Sequence, residues 1–184
     1  SFPNSMVDRI TPATEDEHRQ LLRDEYGVED AWPVIAEPFL QWVIEDTFVA
    51  GRPRWELAMP SDVLVTSNVE PYELMKLRLL NSAHSALSYA ALLCDHVHVD
   101  SALADPDVFA YLRAYMSEVV KTLEEVQGVD LAEYQRSLLE RFSNTYIKDK
   151  LSRLALDGSQ KFMNTLKDAL LAYREKMAFT REIT

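Results

Sequence analysis

Apolar residues recur at helical spacing through most of the second half of the chain. From Tyr72 to about Cys94 they return every three or four positions with no Gly or Pro inside, and Pro71 suits the first turn of such a helix. Asp105-Pro106 opens a second helix, expected to run to about Glu125 and to close at Gly128. Asp130 is placed to cap a third from Leu131 to about Phe142, and residues 144–156 and 159–176 predict two more. The first half reads differently. Pro3 and Pro12 frame an extended stretch from Met6 to Ile10, and a short polar helix is expected from Thr14 to Tyr26. Thr14 would cap it, Glu17 sits three residues on, and Gly27 ends it. Residues 33–58, with Trp42, Trp55 and the turn Gly51-Arg-Pro-Arg54, predict mixed structure, and Val63–Thr66 a short strand. The expected fold is mainly α: a linking segment over 1–70, irregular with small strands, then a helical bundle over 71–184.

Composition agrees with this pattern and narrows the partners. Of 184 residues, 47% are hydrophobic, 27% charged and only 4 are Gly, which favours helix. The net charge of -11 argues against a nucleic-acid partner, because phosphate binding needs a basic surface. No apolar run approaches the roughly 18 residues of a membrane span, so no membrane partner and a cytoplasmic location are expected. The single cysteine, Cys94, lies in an apolar stretch and is expected to be buried and inert. The chain opens at Ser1 without an initiator Met, and is expected to be a piece of something longer.

Candidate chemistry gathers on the helix after Pro71. At about 100° per residue, taking Lys76 as zero, Glu73 falls near about 60°, His84 near about 80° and Asn81 near about 140°. Leu77 and Leu80 share that arc, so this face is expected to be a pocket wall, not a plain solvated surface. The trio suits oxidation of a secondary alcohol. A neutral lysine amine can accept the hydroxyl proton. An asparagine amide can donate to the oxygen that gains charge. A histidine can hold an adjacent hydroxyl in place. Glu73 could pass the proton towards water, or simply pair with Lys76 on the helix surface.

The string from Glu70 to Ser85 resembles the signature of the mannitol dehydrogenase family, the polyol-specific long-chain dehydrogenases that include mannitol 2-dehydrogenase and fructuronate reductase. Its Lys-x4-Asn-x2-His stands as Lys76, Asn81 and His84. Further matches follow in order at Asn4–Pro12, Glu37–Asp46, Gly51–Glu56, Arg141–Asn144 and Arg153–Lys161. The resemblance implies a helical bundle like the C-terminal domain of 6-phosphogluconate-dehydrogenase-like enzymes. It implies Lys76 as general base, Asn81 at the oxyanion, His84 orienting substrate and Glu73 gating the proton path. Arg153 and Lys161 would bind substrate hydroxyls, and Val7 and Asp8 would line the site. The cofactor would be NAD or NADP, the substrate a polyol or aldonate, and no metal is needed.

The chain departs from the family pattern in two respects. No Gly-x-Gly-x-x-Gly turn is present, so the Rossmann domain that binds NAD(P) is expected to be absent, its residues unknown and the chain inactive alone. Near Lys161, where relatives favour proline, stand Phe162-Met-Asn164. The bare face left by the missing domain would allow self-association. The alternative is a non-catalytic helical module derived from the family, serving binding or assembly. Among other polar residues, His18 is expected on the surface. His96 and His98 would diverge on a helix and bind no metal, and Trp42 and Trp55 are expected as packing anchors. Arg9, Arg52 and Arg54 either brace the first half or meet the missing domain.

Overall fold

The computed structural model describes residues 2–167 and 169–175, apart from the side chains of Asn164 and Leu166. A three-stranded sheet opens the chain. Strand β1 (Ser5–Asp8) runs antiparallel to β2 (Gln41–Glu45), which runs parallel to β3 (Val63–Thr66) and is central. In β1 successive side chains alternate: Met6 and Asp8 are buried, while Ser5 and Val7 face out. Between the strands lie helices α1 (Asp16–Tyr26) and α2 (Trp55–Ala58). Helix α1 starts from Glu15 and not from Thr14, whose hydroxyl is drawn away to Pro33 O at 2.6 Å. His18 Nδ1 accepts from the Glu15 amide at 3.0 Å, so this ring is half-buried and caps the helix instead of lying free on the surface. Gly27, at φ 64, ends it by a left-handed turn that few other residues adopt. Trp42 and Trp55 pack on each other at 5.0 Å, and Arg52 ties Asp46 to Glu56.

The second half is helical. One rod runs from Glu70 to Leu93 as α3 (Glu70–Met75), a π turn (Lys76–Asn81) and α4 (Ser82–Leu93). Around it pack α5 (Val99–Leu103), α6 (Pro106–Val119), α7 (Leu131–Phe142), α8 (Leu151–Leu154) and α9 (Gly158–Lys161). Met75, Leu79 and Leu87 of the rod meet Leu112, Met116, Leu138 and Leu151 in one core, each such side chain contributing about 1.5–3 kcal/mol. Asp130 caps α7 as expected, accepting from Ala132 N at 2.8 Å. No described helix is long and apolar enough to cross a membrane.

Four further local expectations are corrected. Helix α6 passes into a short 3-10 turn (Val120–Thr122) and stops before Glu125; Leu123 is extended, and Arg78 takes the Thr122 carbonyl at 2.7 Å. Residues 144–150 are not helical. Their backbone bonds across to 97–99 instead, Val99 N to Asp149 O and Leu151 N to Val97 O, both at 3.0 Å. His98 belongs to that same bridge, opposite Lys150, so His96 and His98 are not on a helix. Cys94 is exposed, because the helix ends there and turns its last residues to solvent. The expected end of the last helix, residue 176, lies outside the described residues.

Candidate active site

The π turn sets the geometry of the site. A regular α-helix would carry Asn81 well round from Lys76. Here the Ser82 amide donates to Leu77 O, five residues back, and the extra residue in the turn brings positions 76 and 81 closer into line. His84 follows three residues on in regular helix, on the same face. All three border a cleft of about 270 Å³, whose other wall carries Asp8, Arg153 and Lys161. Residues expected from three separate stretches of sequence therefore meet in one place. Glu73 is exposed one turn before Lys76 and is not part of the cleft lining. Val7 is half exposed and faces away, since neighbours on a strand point to opposite sides and Asp8 takes the inward position.

The side chains of Lys76, Asn81 and His84 make no hydrogen bond or ion pair among the described residues. Bordering a cleft, these three polar tips keep hydrogen-bonding capacity that the described residues do not use. The imidazole stacks on Phe142 at 4.3 Å and 29°, which fixes its plane. Burial lowers its pKa to about 4, so the ring is neutral near pH 7 and can both donate and accept. Opposite, Arg153 Nε donates to Asp149 Oδ1 at 2.8 Å and its Nη2 meets the other carboxylate oxygen. Lys161 Nζ donates to Leu154 O at 2.8 Å. Lys161 also precedes a second π turn (Phe162–Leu166), which packs against the first.

Behind the cleft lies a buried charge cluster. Arg141 donates to Asp8 at 2.6 and 3.1 Å and to Glu37 at 2.7 and 3.0 Å, while Tyr134 donates to Asp8 at 2.8 Å. Burial alone would lower Arg141, but its bonds to Asp8 and Glu37 outweigh it and hold the guanidinium charged. Burial, with Asp8 beside it, raises the Tyr134 phenol well above its ordinary range. Both Asp8 oxygens are thus engaged inside the protein. Arg9 bridges to the Glu37 carbonyl at 2.9 Å and braces the same wall. Sequence reasoning passed over Asp149, Glu37, Tyr134 and the cluster role of Arg141. Only Asp149 carried a local signal, an acid four residues before Arg153.

The His84 environment has a consequence for stability. The native state favours the neutral ring, whose ordinary pKa is 6.5, so its contribution is complete above about 6.5 and fades as pH falls towards about 4. Between pH 7 and 5 the chain should lose about 1–2 kcal/mol more than a His84→Gln variant in urea denaturation. Equal losses would show that burial of this ring is not what His84 opposes.

The chain is similar to known proteins along most of its length. Residues 68–181 match the family model of the mannitol dehydrogenase C-terminal domain, and residues 1–57 that of the mannitol dehydrogenase Rossmann domain. Mannitol dehydrogenase 2 of Saccharomyces cerevisiae is 49% identical over 160 residues, covering 86% of this chain and 31% of that protein. Mannitol 2-dehydrogenase of Phaeosphaeria nodorum is 49% identical over 162 residues, 88% of this chain and 28% of that one. Among solved structures, Pseudomonas fluorescens mannitol 2-dehydrogenase, in ternary complex with NAD and D-mannitol, has a TM-score of 0.80 at 52% identity. The match covers 88% of this chain and 32% of that one. A D-sorbitol dehydrogenase in substrate-free form gives 0.78 at 38% identity, over 88% and 33%. The chain spans about a third of the length of these relatives. Matched by the family's own domain model across most of its residues, the chain belongs to the mannitol dehydrogenase family.

Proposed function

We propose that this chain supplies the substrate-holding and proton-transferring part of an NAD(P)-linked polyol dehydrogenase, oxidising a secondary alcohol of the mannitol-to-fructose or mannonate-to-fructuronate type. The observation that carries this reading is the set of three side chains without a polar partner among the described residues, Lys76, Asn81 and His84, on one face of a π-bulged rod beside Arg153 and Lys161. Lys76 Nζ takes the hydroxyl proton, or returns it when a ketone is reduced. The Asn81 amide donates to the oxygen as it gains negative character. Neutral His84 holds the neighbouring hydroxyl, and Arg153 and Lys161 fix more distant ones. Glu73, exposed one turn before Lys76, stands where it can hand the proton to water.

The chain's glycines, Gly27, Gly51, Gly128 and Gly158, lie far apart and build no phosphate cradle, so the dinucleotide would be gripped elsewhere in the enzyme. When bound there, the nicotinamide accepts the hydride. We further propose that residues 1–57 are one edge of that cofactor domain. Exposed Trp32, Val34, Val49 and Leu57 in this part would be covered in the whole enzyme, and self-association would cover them where the rest of that domain is not present. The 184-residue chain should therefore not turn over by itself. Assaying the whole parent enzyme with NAD and NADP on hexitols and hexonates tests the reading: turnover of at least one is expected, and turnover of none overturns it.

A further inference from the structure

Arg153 faces the cleft with its charge already answered. Asp149 is buried, 3% exposed, and grips the guanidinium through both carboxylate oxygens on the Nε and Nη2 edge. The grip is built into the chain. Lys148 adopts a left-handed conformation at φ 45, costly for a residue with a side chain, and the next residue, Asp149, is turned inward. The Asp149 carbonyl is fixed by Val99 N at 3.0 Å, and α8 then carries Arg153 one turn on. Asp149 itself borders the cleft. A ligand group approaching Arg153 meets a paired cation with a carboxylate beside it, and only the remaining Nη donors are free.

We propose that Asp149 is a specificity-determining residue that tunes Arg153 for neutral hydroxyls and against carboxylates, so that the site prefers hexitols to hexonates. This rests on the polyol dehydrogenase reading above. A substrate hydroxyl accepts one hydrogen bond from the free Nη edge and carries no charge, so Asp149 costs it nothing. A substrate carboxylate at the same place is repelled by Asp149 within a partly enclosed site, where such repulsion is poorly screened. Discrimination of this kind comes from the repulsive element as much as from the attractive one. Asp149 acts through Arg153 and is a positioning residue, not a catalytic one.

The experiment uses the whole parent enzyme and compares kcat/KM for D-mannitol and D-mannonate. Wild type should favour the hexitol. Asp149→Asn, which keeps the shape and removes the charge, should shift the ratio towards the hexonate by about tenfold or more, chiefly through a lower KM for the charged substrate. Asp149→Ser, which leaves Arg153 with no acidic neighbour at that edge, is the second arm and should move the ratio the same way. Thermal midpoints identify any variant that fails to fold, in which case the other decides. Ratios unchanged in the folded variants, or a wild type that prefers the hexonate, overturn the proposal while leaving the dehydrogenase reading intact. Absence of wild-type turnover on both substrates overturns the two together.

Discussion

Replacing Lys76 by alanine in the whole enzyme is expected to lower kcat/KM for its polyol by roughly 10²–10⁴-fold, the usual worth of one positioned acid–base group. The residue stands at the start of the π turn, bordering the cleft, with no hydrogen bond or ion pair to another described side chain. Its removal therefore breaks no structural contact of that kind, and thermal stability should change little. Loss of activity with an unchanged thermal midpoint separates a chemical role from a packing one. A primary amine small enough to enter the space left by the side chain should restore part of the rate, and more so at alkaline pH, where more of the amine is free base. A variant retaining more than a tenth of the wild-type kcat/KM would remove Lys76 as the base, and would leave the cleft as a binding site only.

Much of this site could be read from the sequence because its main parts lie on one rod. The unbroken apolar period after Pro71 specified a helix, and a helix brings Lys76, Asn81 and His84 into one broad arc. The π turn could not be read that way. It adds one residue to a turn without Gly or Pro to mark it, and it improves the alignment that a regular helix only roughly gives. The expected pair Val7 and Asp8 shows the opposite limit. Strand alternation alone would have separated them, had Met6–Asp8 been taken as a strand with one buried face. The stretch 144–150 failed for a third reason: it was read as one helix with 151–156, but its backbone finds partners at 97–99, and such long-range pairing leaves no local trace. Asp149 enters the site through that same pairing, which is why Arg153 was expected there and its partner was not.

The cluster behind the cleft was equally hidden, since Asp8, Glu37, Tyr134 and Arg141 are far apart in sequence. Asp8 and Glu37 fall in the part matched by the Rossmann-domain model, Tyr134 and Arg141 in the part matched by the C-terminal one. One guanidinium thus ties the sheet to the bundle, and its neighbour Phe142 holds the His84 ring. Taking Arg141 away as Arg141→Met would strand two carboxylates in the interior, where an unpaired charge costs far more than the pair contributes. The expected loss is about 3–5 kcal/mol in urea denaturation of the 184-residue chain, large against a typical total of about 5–15 kcal/mol. Adding Glu37→Gln to Arg141→Met removes one of the stranded charges and should recover part of the loss. Recovery matters more than the loss itself, because any hole in the core destabilises, whereas only a charge imbalance is relieved by deleting a second charge. If Arg141→Met costs less than 1 kcal/mol, or the double variant is no more stable than the single, the guanidinium is not what holds the two halves of the cleft together.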